Sequence, residues 1–153
     1  EGTRAKRFKS NLYLRFIDGI RTPMVKALKN TRFSAPVPIR TLAHMASEVV
    51  SLGNIAGEGW FLTAEILELM HGGVHNVVCV QPFACLPNHV TGKGVMKELK
   101  RLNPAANVVA VDYDPGASEV NQLNRIKLML ATAFAHMHAQ GGDNKEGTHE
   151  HKH

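Results

Sequence analysis

The sequence predicts an α/β fold with a small parallel sheet covered by helices. Two apolar, β-branched runs carry this reading: Val77-Val78-Cys79-Val80 and Val108-Val109-Ala110-Val111. Each ends in a polar turn, and a helical pattern lies between them. The order helix–strand–helix–strand–helix with short connections is by default a right-handed parallel βαβ unit. The 153 residues and 44% apolar content allow one domain with its own core.

Residues 1–11 are polar and basic without periodicity and read as an arm or linker. Leu12, Leu14 and Phe16 alternate as a short strand would. Pro23 suits the first turn of a helix to about Lys29, with Thr22 as its cap. Residues 32–40, with Pro36 and Pro38, read as a loop. Leu42, Met45, Ala46, Val49 and Leu52 repeat at helical spacing, which predicts a helix over 41–52 with Gly53 beyond its end. The glycine-rich loop 53–59 matches neither the dinucleotide nor the P-loop fingerprint. A further helix is predicted over 60–70, with Leu62, Ile66, Leu69 and Met70 inward and Gly72-Gly73 ending it.

The strand Asn76–Val80 reads as buried on both faces, as parallel strands usually are. Pro82 and Pro87 cannot donate to a ladder, so pairing stops by Pro82. A helix is predicted over 91–102, with Thr91 as a candidate cap. Gly92-Lys93-Gly94 would then open it as an anion site, although a plain helix start is the simpler reading. The second strand, Asn107–Val111, leads through Asp112-Tyr113-Asp114-Pro115-Gly116 to Ser118. That serine is placed to cap a helix reaching about Met137, with Val120, Leu123, Ile126, Leu130, Phe134 and Met137 as its inner stripe. The domain is thus expected over 12–139, as a piece of a longer chain. Residues 140–153 form a mobile, His-rich tail. Its His149, His151 and His153, following His136 and His138, could bind metal weakly and read more simply as incidental.

Charge is uneven. Of 18 Lys and Arg, ten fall in residues 1–40 against two acids, leaving eight basic and eleven acidic residues beyond. No nucleic-acid motif accompanies the basic end, so it reads as a solvated face or a seam against an acidic neighbour. No apolar run approaches the length of a membrane span, and no signal peptide is evident. Two cysteines are too few for a disulfide scaffold, so a cytoplasmic, reducing setting is expected.

Chemistry in open α/β sheets gathers where strands end, which directs attention to the loop Gln81–His89. Cys79 lies within the strand and reads as a packed thiol. Cys85, between two prolines, is the better candidate for chemistry. On spacing alone three roles stay open: a thiolate ligand of an iron–sulfur cluster, a nucleophile with His89 as base, or a structural loop braced by Asn88.

Three strings add a resemblance. They are Gly57-Glu58-Gly59-Trp60-Phe61-Leu62-Thr63-Ala64-Glu65, then Val80-Gln81-Pro82-Phe83-Ala84-Cys85-Leu86-Pro87-Asn88-His89, then the run from Asp112-Tyr113-Asp114-Pro115-Gly116 through Asn121-Gln122-Leu123-Asn124-Arg125. Together they resemble the C-terminal part of the large CoA-substrate-specific enzyme activase proteins. These are related to the 2-hydroxyacyl-CoA dehydratase subunits and to double-cubane-cluster reductases. The resemblance implies three-layer, Rossmann- or flavodoxin-like architecture. It also implies a place in an anaerobic, ATP-driven electron-transfer system with a 4Fe-4S-type cluster held by cysteines from more than one domain. Carried onto this chain, it makes Cys85 one cluster ligand and metal-binding residue. Asn88 and His89 would orient the loop or tune the cluster, and Glu58 would face the same crevice. The implied partners are other domains or subunits of that system, with an acyl-CoA substrate, no nucleic acid and no membrane. The ATP-binding module and the remaining cluster cysteines are absent from these residues, so the chain alone is expected to be inactive. A partner-docking α/β module is the alternative, and a thiol enzyme using Cys85 and His89 a third.

Overall fold

The computed structural model describes residues 4–33 and 35–146. The chain divides into two compact units, one up to Pro38 and one from Ile39 onward.

The first unit is built on α1 (Arg4–Leu28), which buries no residue. The expected arm over 1–11 and strand over 12–16 are therefore corrected from Arg4 onward to one continuous helix. Phe8, Leu12, Phe16, Ile20 and Met24 recur every four residues, and this i,i+4 ridge outweighs the local alternation of Leu12, Leu14 and Phe16. Pro23 lies inside the helix, not at its start. Thr22 is no cap: its hydroxyl donates to the Asp18 carbonyl one turn back, 2.7 Å away. The chain turns after Leu28, and the Arg21 guanidinium donates to the Pro36 carbonyl.

The second unit holds α2 (Ile39–Ser47), α3 (Trp60–His71), β1 (Asn76–Gln81), α4 (Met96–Leu102), β2 (Asn107–Asp112) and α5 (Glu119–Glu146). It is a mixed α/β unit whose two strands pair in parallel, Asn76 opposite Asn107 through Gln81 opposite Asp112. Ile66, Leu67 and Met70 of α3 meet Val77, Val95, Leu99 and Ala106 in the main core, with Met45 and Val49 packed against it. Burying the Ile, Leu, Met and Val side chains of that core stabilises by about 1.5–3 kcal/mol each where burial is complete, before entropy is counted. α2 is shorter than predicted, ending at Ser47, and Leu69 of α3 faces outward.

β1 is buried on one face only, which corrects the expectation of two. Val77, Cys79 and Gln81 are buried, while Val78 and Val80 alternate to the other face, where Val80 is 56% exposed. Val111, on that same face of β2, is 1% exposed. The difference is α5, which packs chiefly on β2.

α5 also closes the outer edge of β2. The amides of Asn107 and Tyr113 donate to His75 and Gln81 beside β1, so the alternate residues Ala110 and Asp112 turn their carbonyls outward. Arg125 donates to the Ala110 carbonyl at 3.2 Å and Gln122 to the Asp112 carbonyl at 2.9 Å. Two open edge acceptors are thus satisfied by side chains. The face of α5 turned inward carries Gln122, Ile126 and Met129. Of the predicted stripe, Val120, Leu123, Leu130, Phe134 and Met137 are exposed.

α5 runs nine residues past the predicted end at Met137, so the expected mobile tail is helical to Glu146. His149, His151 and His153 lie outside the described residues. No helix among the described residues is long and apolar enough to cross a membrane.

Candidate functional site

The loop that leaves β1 is held by a dense set of local bonds. Ala84 takes a left-handed backbone conformation, φ 58°, which a side-chain-bearing residue seldom adopts. This reverses the chain after Pro82 and brings the Cys85 amide back to the Pro82 carbonyl, 3.2 Å away. A π-helical turn over Asn88–Gly92 and a 3-10 turn over Lys93–Val95 follow, so α4 starts only at Met96. The predicted helix start at Thr91 is corrected accordingly. The Thr91 hydroxyl donates to the Pro87 carbonyl at 2.8 Å, and its own carbonyl accepts from the buried Thr63 hydroxyl. Gly92 and Gly94 do not open an α-helix there. Gly92 is buried against Leu62 and Cys79, and Gly94 backs onto the His89 carbonyl.

Cys85, Asn88 and His89, three of the residues singled out in the sequence, are linked to one another by hydrogen bonds in this loop. The Cys85 thiol donates to Asn88 Oδ1 at 3.4 Å. Asn88 is buried and its Nδ2 reaches the Val80 carbonyl at 3.5 Å, tying the loop back to β1. His89 bonds the Cys85 carbonyl twice, through its backbone amide at 3.0 Å and through ring Nδ1 at 3.0 Å. A carbonyl only accepts, so Nδ1 carries the ring proton. The imidazole therefore holds the Cys85 backbone and is not hydrogen-bonded to its sulfur. That arrangement lacks the thiol–base bond of a nucleophilic cysteine.

Glu58 is not drawn into this cluster. Its carboxylate acts on Glu65 of α3, whose pKa is raised by burial and by the charges of Glu68 and Glu58. The rest of the glycine-rich loop does meet the cysteine loop. Gly57 and Gly59 have positive φ, and a Cβ on Gly59 would lie 2.0 Å from the Asn54 carbonyl oxygen. With this turn made, Gly53, Asn54, Ile55 and Gly59 share a cleft of about 230 Å³ with Leu86, Pro87, Val90 and Thr91.

Cys79 sits behind the loop as the packed thiol expected. It is 5% exposed, and burial raises its thiol pKa. Among the described residues no group of three or more His, Cys, Asp or Glu is placed to hold a metal ion. Cys85 is the one thiol here with access to solvent, and it is half-buried.

A second cleft, of about 600 Å³, opens at the carboxyl ends of both strands. Phe83 forms one wall, and Asp112, Asp114, Asn121, Gln122 and Arg125 supply its polar groups. The Phe83 amide donates to the Asp114 carboxylate, which fastens the loop after β1 to the turn after β2. Sequence reasoning assigned no site role to these residues. The one signal of the polar ones in the sequence is the string 112–125, among those that carry the resemblance; their grouping around a cleft is not visible there, because only the fold brings α5 beside the strand ends. No family model, curated protein or solved structure matches this chain.

Proposed function

We propose that the chain is one module of a composite iron–sulfur electron-transfer protein of the CoA-substrate-specific activase and 2-hydroxyacyl-CoA dehydratase type. In this reading Cys85 is one of several thiolate ligands, the others coming from outside the chain, in an anaerobic, cytoplasmic setting. The layering is three-deep and Rossmann- or flavodoxin-like. It is supported by α3 and α4 packing on the Val77 face and by α5 beside Val111.

The observation that carries the proposal is the bracing of Cys85. Its sulfur is held by Asn88 and its carbonyl by His89, at the end of a parallel strand. Fixed backbone and an oriented sulfur are what a ligand contributing one corner of a site requires. The donor set fits that share and no more, since one accessible thiol cannot hold a cluster. When bound, the cluster would supply low-potential one-electron transfer. The chain's own residues orient the ligand. A metal-bound thiolate accepts hydrogen bonds, so Asn88 would turn its Nδ2 toward the sulfur in place of Oδ1. Acyl-CoA would be the substrate of the assembled protein, not of this module alone.

The partner-docking reading is favoured by one observation of its own. α1 leaves Phe8, Leu12, Phe16, Ile20 and Met24 exposed, and Val78 and Val80 leave half a sheet face open. Such surfaces mark interfaces, and a module that completes a shared site needs them too.

Anaerobic reconstitution with iron and sulfide, on a chain joined to its thiolate-bearing partner region, tests the ligand assignment. Cys85→Ser is expected to lower cluster iron and alter the electron paramagnetic resonance signal. Unchanged iron content and spectrum would remove Cys85 from the ligand set and leave docking as the function.

A further inference from the structure

The cleft of about 600 Å³ at the strand ends is lined by polar groups fixed from behind. Asp112 gives one carboxylate oxygen to Gln81, 2.7 Å away. Asp114 gives one to the Phe83 amide. Gln122 and Arg125 each commit one nitrogen to a β2 carbonyl. Each of these side chains keeps a second polar atom, and all four line the cleft. Arg125 shares the space with two carboxylates and forms an ion pair with neither. Cation and acceptors are therefore held apart. Phe83 adds an aromatic ring that is 75% exposed.

We propose that this cleft binds a ribonucleoside 5′-phosphate. The phosphate meets the Arg125 guanidinium, a planar fork suited to such an anion. The ribose hydroxyls donate to the free carboxylate oxygens of Asp112 and Asp114, which accept and cannot donate. The base lies against Phe83. The separation of charges selects this class. Inorganic phosphate alone would leave two carboxylates facing an anion. An amino acid would satisfy both charges, yet would leave most of the cleft empty and Phe83 without a partner. The volume lies in the range of small-ligand pockets, and the carboxyl edge of a parallel sheet is where such pockets form. None of these residues is Cys85, so the proposal stands or falls separately from the iron–sulfur reading.

Titration of the full chain with AMP, followed by amide chemical shifts and calorimetry, tests it. Saturable binding of AMP is expected, with 2′-deoxy-AMP at least about fivefold weaker for the lost hydroxyl bond. Arg125→Leu should weaken AMP by at least about tenfold and leave adenosine unaffected, as loss of a charge-assisted contact requires. Phe83→Ala removes an exposed ring and should not disturb folding. It is expected to weaken AMP roughly threefold or more while ribose 5-phosphate binds as before. No saturation by AMP, inorganic phosphate binding as tightly as AMP, displacement of AMP by a free amino acid, or AMP affinity indifferent to Phe83→Ala would each overturn the proposal.

Discussion

Gln81 and Asp112 are register partners at the last pair of the sheet, and the Gln81 side-chain amide donates to the Asp112 carboxylate at 2.7 Å. Gln81 is 1% exposed, and its Oε1 has no partner among the described residues. The bond joins the two strands just where the loops of the candidate sites begin. Its geometry follows from the parallel register, which places residues opposite one another on the same face.

Removing that amide should be costly in one way and cheap in another. Gln81→Ala loses the bond and leaves a void, and should destabilise by about 2–3 kcal/mol. Gln81→Leu fills the space and also removes the unpaired oxygen. Asp112 is half-exposed, so water can replace its lost donor, and the cost should fall by about 1 kcal/mol. Urea unfolding midpoints measure both. Equal losses for the two variants would mean that the buried amide has no energetic role.

The two cysteines should separate sharply. Burial raises the Cys79 pKa above its ordinary value of 9.0, so the fold favours the neutral thiol. This stability is complete below the unfolded-state pKa and is lost as pH rises through the folded one. Chain stability should therefore decline above about pH 9, and Cys79→Ala should flatten that decline. In the native state an alkylating reagent should label Cys85 alone, with Cys79 reacting only on unfolding. Mass spectrometry of partly alkylated protein gives the count. Labelling of both thiols at one rate would contradict the packing described for Cys79.

Gly92 is where the turn after the cysteine loop touches the sheet. A Cβ there would stand 2.9 Å from Leu62 Cδ2 and 3.1 Å from Cys79 Sγ. Gly92→Ala should cost about 1–3 kcal/mol through overpacking. Shortening Cys79 should relieve part of that clash, so Gly92→Ala with Cys79→Ala should be more stable than the sum of the single losses predicts. A coupling of about 0.5 kcal/mol or more is expected for residues in contact. Strict additivity would show that the turn gives way elsewhere.

What could be read in advance was what local pattern decides. The two apolar runs specified both strands and their order, and the prolines after Gln81 placed the loop. Cys85, Asn88 and His89 could be grouped because they lie within five residues. The failures share a different cause. Val78 and Val80 look as buried in the sequence as Val77, because hydropathy does not say how many faces a neighbour covers. Val120, Leu123 and Phe134 look like an inward stripe of α5. The face actually used is chosen by Gln122, Arg125 and Met129, through bonds and contacts to β2 that only tertiary structure creates. At Thr91 the cap signal misled: its hydroxyl donates to the Pro87 carbonyl, and with glycines packed on Leu62, Cys79 and the His89 carbonyl the chain makes wider and tighter turns before the α-helix begins.

Ala84 sets the direction of the cysteine loop. Its φ of 58° places a Cβ where L-residues pay a steric penalty of about 1–2 kcal/mol. Glycine has no such penalty, although it adds about 0.4–1 kcal/mol of backbone entropy to the unfolded chain. The balance favours Ala84→Gly by about 0.5 kcal/mol, a rise of about 1–2 °C in Tm for a chain of this size. Ala84→Val moves the other way, because a β-branched side chain tolerates the left-handed region less than alanine. If the strain positions Cys85, Ala84→Val should also increase alkylation of Cys85 by loosening the bonds from Cys85 to Pro82 and Asn88. Calorimetry and thiol labelling on the pair read the two effects independently. A destabilised Ala84→Gly would show that alanine's methyl group makes a contact worth more than the backbone strain it imposes.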